Sequence, residues 1–169
     1  MAIETMDYKT IKKENDCELR EIEYATFIKS MDTTYSGGSG FQKLFNYISG
    51  NNQSNQKISM TAPVLQSKQD QLNIAFVLPK HMNKKAPLAK GDDVVIETIE
   101  NRKFVCIKFK GSNYKKMIPL KEQQLRNWAN HQQLPLEHTV HLARYNPPFV
   151  PGLFRKNELW IFVTQNDEH

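Results

Sequence analysis

Cysteine is nearly absent from this 169-residue chain: Cys17 and Cys106 lie far apart, with no CxxC or Cys/His spacing. They provide no disulfide framework, which argues for a reduced, intracellular setting rather than a secreted scaffold. Long apolar runs are also missing. No stretch approaches the ~18 apolar residues of a membrane span, and MAIETMDYKTIKK at the N-terminus lacks the apolar core of an export signal. These exclusions leave the cytoplasm as the expected location, with no membrane span. Glycine is scarce, and the one glycine-rich segment, GGSG at 37–40, has neither a following Lys-Ser/Thr nor a preceding apolar strand. It reads as a helix lead-in, not a phosphate cradle. There is no nucleophile elbow either. The five histidines do not cluster. His138 and His141, three apart on an expected strand, would point to opposite faces and cannot chelate together. His131 ends a helix, His81 sits in a polar loop and His169 is terminal. The chain is therefore expected to be no enzyme, to have no catalytic residues and to hold no metal through its own side chains.

What is present suits one globular domain, 1–169, a length that buries roughly 70% of the unfolded surface without staples. The net charge of +5 invites a nucleic-acid reading. However, the pairs Lys12/Lys13, Lys84/Lys85 and Lys115/Lys116 fall in different segments and are not interleaved with aromatics. They are read as solvated surface, with no nucleic-acid partner, although a modest basic field would attract an acidic small ligand.

Turn-forming clusters divide the chain into short strands around two helices. A long strand is expected over Cys17–Met31, its alternation slipping near Ala25–Phe27 as at a bulge. After the glycines, Phe41, Leu44, Phe45 and Ile48 form a helical stripe at i, i+3, i+4 and i+7, and Gly50 stands where a left-handed C-terminal residue is favoured. Strands follow at Lys57–Gln66 and Gln71–Pro79. The second half has strands at Val94–Thr98 and Arg102–Lys110, the latter with Cys106 opposite Val105, Ile107 and Phe109. A helix covers Tyr114–Asn130, with Leu125, Trp128 and Ala129 on its apolar face; at Pro119, which has no N–H, it either begins or kinks. Strands at Glu137–Tyr145 and Asn157–Thr164 complete a β-β-α-β-β pattern written twice, in approximate halves 1–90 and 91–169. Two helices segregated from about eight mostly antiparallel strands define an α+β class.

Two segments are more specific than a generic domain requires. FQKLFNYISG, a polar NNQSNQ loop and KISMTAPV span Phe41–Val64; YNPPFVPGLFRKNELW spans Tyr145–Trp160. Lys43, Leu44, Tyr47, Ile48, Gly50, Asn51, Lys57, Ile58, Met60, Thr61, Pro63 and Val64, then Tyr145, Pro147, Pro148, Arg155, Asn157, Glu158 and Trp160, follow in the order seen in the SOUL/haem-binding protein family. The chain resembles that family over almost its whole length. The resemblance implies a distorted antiparallel β-barrel of about eight strands with two packed helices, duplicated with pseudo-two-fold symmetry, as in effector-binding domains. It also implies haem or another tetrapyrrole as bound ligand, in a shallow cleft between the first helix and the proline-rich loop.

On the residues themselves, Pro147, Pro148 and Pro151 stiffen a loop that carries Phe149, Val150, Leu153 and Phe154. Such a loop either plugs a sheet edge or presents a preorganised apolar wall. Arg155 and Lys156 close it with two cations suited to a planar ligand bearing carboxylates. The candidate ligand-binding residues are Lys43, Leu44, Tyr47, Ile48, Met60, Pro148, Phe149, Phe154, Arg155 and Lys156. Leu44 and Ile48 also belong to the core stripe; Lys43 and Tyr47 lie off it and are better placed to reach a ligand. No histidine falls in either segment, so iron coordination does not follow from the resemblance. The expected protein is a monomeric, non-catalytic carrier or buffer for a small hydrophobic or planar anionic ligand. The alternative is an effector-binding-like module for hydrophobic, cationic drug-like molecules. A cation receptor wants buried carboxylates beside aromatics, and Glu158 is the acidic residue that keeps this alternative open.

Overall fold

A computed structural model describes residues 3–32, 38–68, 70–147 and 150–165. In chain order its elements are β1 (Glu4–Thr5), β2 (Lys9–Glu14), β3 (Cys17–Met31), α1 (Ser39–Ile48), β4 (Thr61–Ala62), β5 (Val64–Lys68), β6 (Leu72–Val77), β7 (Val95–Lys110), α2 (Tyr114–His131), β8 (His141–Arg144) and β9 (Lys156–Phe162). Short 3-10 turns lie at Lys80–Met82 and Gly152–Phe154. The expected α+β class holds. The chain forms two compact units that interleave in sequence: Met1–Asp7 with Tyr24–Glu100, and Tyr8–Glu23 with Asn101–His169.

In the first unit the C-terminal part of β3 pairs antiparallel with β6, Phe27 opposite Val77, and β6 pairs with β5, Phe76 opposite Val64. β1 runs parallel to β4. The expected strand over Lys57–Gln66 is shorter and divided, because Pro63 has no N–H to give a ladder and separates β4 from β5. α1 packs its inward face into a cluster of Ile28, Leu44, Tyr47, Ile48, Ile58, Ile74, Phe76, Leu78 and Met82. Gly50 closes the helix at φ +117°, the left-handed conformation that glycine adopts without steric cost. The polar loop after it is organised by Asn52, fully buried. Its amide donates to the carbonyls of Tyr47 (2.9 Å) and Gln56 (2.8 Å), and its Oδ1 accepts from the N–H of Gln56 at 3.0 Å.

In the second unit β2 pairs with the N-terminal part of β3, and β9 lies between β7 and β8. The two strands expected at Val94–Thr98 and Arg102–Lys110 are one, β7, continuous through Asn101, whose φ of +49° marks the turn-like residue. α2 begins at Tyr114 and runs on through Pro119. β8 starts only at His141, four residues later than expected. Arg126 instead donates its guanidinium to the carbonyls of Glu137 (3.1 Å) and His138 (3.0 Å), which a strand would have used. Both faces of β7 are covered here: Phe104, Val105 and Cys106 are fully buried. Cys106 is therefore not on an open face, because the side opposite Val105 looks onto a buried ionic cluster.

Candidate ligand-binding site

Among the first unit's candidates, Leu44 and Ile48 are core residues, as their helical spacing implies. Tyr47 is not off the buried face. It is 1% exposed, its hydroxyl donates to the carbonyl of Pro87, and burial pushes its pKa up to about 12. The inward face of α1 is thus Gly40, Leu44, Tyr47 and Ile48, and Phe45 is turned outward and 45% exposed. The reason is Gly40: a Cβ there would strike the Met31 carbonyl and the Ile74 side chain, so the backbone itself presses onto the sheet at this turn. Phe41 stacks on Phe45 at 6.3 Å and meets Phe76 edge-on at 5.2 Å. Met60 is half-buried against the same cluster. Lys43 stays at the surface, 3.8 Å from the Asp93 carboxylate, an exposed pair that adds little stability.

Among the second unit's candidates, Phe154 is 64% exposed and its neighbour Leu153 76% exposed. Arg155 donates from Nε to the carbonyl of Val150 at 2.9 Å, and the exposed Lys156 donates its backbone N–H to the Asn146 side chain. Pro148 and Phe149 lie outside the described residues. The turn is anchored by Asn157, whose amide donates to the carbonyls of Gly111 (2.7 Å) and Arg155 (3.4 Å).

The sequence reading missed the strongest electrostatic feature of the second unit. Arg20 is fully buried and grips Glu158 with both ends of its guanidinium, Nη1 to Oε1 and Nη2 to Oε2, each at 2.8 Å. Nη2 also donates to Glu18. Glu158 Oε1 further accepts from the Tyr145 hydroxyl and the Trp160 indole, both at 2.8 Å. The guanidinium lies 4.0 Å from the centre of the Tyr8 ring, a cation–π geometry. Lys108 reaches Glu18 at 3.4 Å and the Cys106 thiol lies 3.9 Å from it. Burial by itself would raise the Glu158 pKa, but the Arg20 hydrogen bonds and charge, with Trp160 and Tyr145, hold it below the usual range. Burial, and then the Glu158 charge, push the Tyr145 hydroxyl and the Cys106 thiol upward, so both stay protonated.

Glu18, Cys106 and Glu158 are the group that, among the described residues, brings three potential metal-ligand atoms within 4.8 Å of one another. Arg20 already holds both carboxylates, and a thiol that resists ionisation is a poor ligand, so the arrangement suits a frame better than a metal centre. The signature residues Tyr145, Asn157, Glu158 and Trp160 are thus the means by which the proline-rich loop is tied to β9. In the sequence, strand alternation puts Glu18, Arg20 and Ile22 on one face, but nothing there marks that face as buried.

Solved structures share the α+β fold of this chain. A hydrolase from Listeria innocua superposes with a TM-score of 0.61 at 13% identity, over 91% of this chain and 94% of that one. The EcmrR C-terminal domain does so with 0.59 at 13% identity, over 89% and 98%. At such identity they share the fold and nothing more. The family is narrower: the SOUL heme-binding protein family model matches residues 3–162, and the chain belongs to that family. Heme-binding protein 2 of Homo sapiens is 28% identical over 150 residues, 81% of this chain and 71% of the relative. The Mus musculus protein of the same name is 27% identical over 149 residues, with the same coverage.

Proposed function

We propose that this protein is a non-catalytic cytoplasmic carrier or buffer for haem or a related tetrapyrrole. Membership of the family over residues 3–162 is the observation that carries the reading. The chemistry of the second unit's turn supports it. Phe154 offers an exposed aromatic face, and Arg155 and Lys156 follow directly, matching a ligand that is a flat apolar ring edged by carboxylates. In the first unit Lys43 is the candidate with an exposed charge for a propionate. Leu44, Tyr47, Ile48 and Met60 support the helix that carries it and act through packing. Haem would supply the iron, and Phe154, Arg155 and Lys156 would bind and orient the ring, through aromatic contact and charge, without contributing an iron ligand.

The competing reading, a receptor for cationic drug-like molecules, needs a buried carboxylate that is unspent. Glu158 is already bound by Arg20, Tyr145 and Trp160, which favours the anionic ligand. Absorbance titration with haemin and metal-free protoporphyrin tests the proposal. Covering one porphyrin face at ~25 cal/mol per Å² supports micromolar binding after association costs. The two ligands should therefore bind within about tenfold of each other, ~1.4 kcal/mol. Phe154→Ala should weaken both alike, and His138→Ala or His141→Ala neither. A thousandfold haemin preference lost with one histidine would refute binding through the ring, and failure of both porphyrins would refute the tetrapyrrole itself.

A further inference from the structure

The turn at 150–156 exposes more apolar surface than its fold requires. Leu153 and Phe154 are adjacent in sequence and 76% and 64% exposed, yet the turn beneath them is built firmly. The N–H groups of Val150, Phe154 and Arg155 donate to the carbonyls of Pro147 (3.1 Å), Pro151 (2.9 Å) and Gly152 (3.2 Å). Two large apolar side chains are thus held outward by a preformed scaffold.

The ground next to the turn is basic. Gly152 abuts Ser112, leaving no room for a Cβ, and the N–H of Gly111 donates to the Arg155 carbonyl at 2.9 Å. The turn therefore sits against the start of α2, whose first turn carries Lys115 and Lys116 and no acidic residue. Cations at a helix N-terminus oppose its dipole. Lys110 and Lys156 face each other as partners on β7 and β9, and like charges directly opposite are unfavourable. None of these four lysines has an acidic partner among the described residues. The neighbouring carboxylates Glu18 and Glu158 are buried and held by Arg20. Unrelieved repulsion on both elements leaves this end of the unit complementary to a dense negative surface.

We propose that this end of the second unit docks on an anionic lipid bilayer, Leu153 and Phe154 entering the headgroup region while Lys110, Lys115, Lys116 and Lys156 meet lipid phosphates and carboxylates. The chemistry is that of a peripheral interfacial contact, in which apolar insertion and a basic collar together give reversible binding that neither gives alone. A bilayer fits better than an acidic protein because the apolar element is a pair of adjacent, largely exposed side chains on a hydrogen-bonded turn, with cations on the elements next to it. It also fits the proposed ligand, which as a flat amphiphile partitions into membranes, although the docking itself does not depend on that reading.

Co-sedimentation with porphyrin-free vesicles tests it. Vesicles of phosphatidylcholine with 30% phosphatidylserine should retain the protein at low salt, and pure phosphatidylcholine should retain far less. Reversing Lys115 and Lys116 to Glu should weaken binding more than tenfold, at about fivefold or more per charge near the surface, and Leu153→Ser should weaken it about tenfold. All three positions are exposed, so unchanged circular dichroism should accompany the loss, with melting temperatures no lower than wild type, since acidic residues in the first turn of α2 suit its dipole. No preference for the anionic vesicles would overturn the proposal. So would binding that persists in both variants, or retention of Leu153→Ser on the anionic vesicles at the wild-type level, which would leave charge as the sole attraction and mark an acidic protein as the partner. Because no porphyrin is present, these results stand or fall apart from the haemin titration.

Discussion

Replacing Arg20 with Met removes one cation from a site that holds two buried carboxylates. Arg20 is fully buried, and Glu18 and Glu158 are 5% and 6% exposed. Met keeps much of the volume but leaves Glu158 with the Tyr145 and Trp160 donors alone. Stranding a buried charge by removing its partner costs about 3–5 kcal/mol. For a chain of this length that corresponds to a fall of roughly 10 °C in melting temperature. The pH dependence supplies the signature. In the wild type the Glu158 pKa is lowered, so its contribution is present above the unfolded value and is lost as pH falls through the folded one. Without Arg20, burial dominates and raises the pKa. The carboxyl of the variant is then tolerated in its protonated form, and stability falls as pH rises above about 5. Thermal melts at pH 7 and pH 5 should show the gap between wild type and Arg20→Met narrowing on acidification. A gap that is constant across that range, or below about 1 kcal/mol at pH 7, would refute the reasoning.

Three further outcomes follow from the packing. Both thiols should resist Ellman's reagent in the folded protein at pH 8, because burial, and then the Asp16 charge, push Cys17 up to about 11, leaving about a thousandth as thiolate, and Cys106 is raised too; rapid labelling without denaturant would contradict this. Gly40→Ala should destabilise by about 1–3 kcal/mol, since its methyl meets the Met31 carbonyl and Ile74; an unchanged denaturation midpoint would show that α1 can move off the sheet. Asn52→Ala should cost about 2–3 kcal/mol in the same assay, because it strands the Gln56 carbonyl and N–H and removes one of the donors to the Tyr47 carbonyl; a loss below 1 kcal/mol would mean that water replaces it.

Local signals survive in the sequence when a residue's neighbours decide its state. The bounds of β3, the helical spacing of Leu44 and Ile48, and the left-handed residue at Gly50 all fall in this class, since strand alternation, helix periodicity and glycine's freedom are properties of a few consecutive residues. The family segments were legible for the same reason: they are contiguous. What the tertiary structure alone decided depends on distant pairs. Tyr47 turns inward because Gly40 presses α1 onto the sheet and Pro87 offers its carbonyl 40 residues away. Residues 8–23 join the second unit because Arg20 finds Glu158, 138 positions along the chain. Charge, unlike periodicity, leaves no mark of its partner in the sequence. A buried arginine and a surface arginine read alike until the fold brings the carboxylates to one of them.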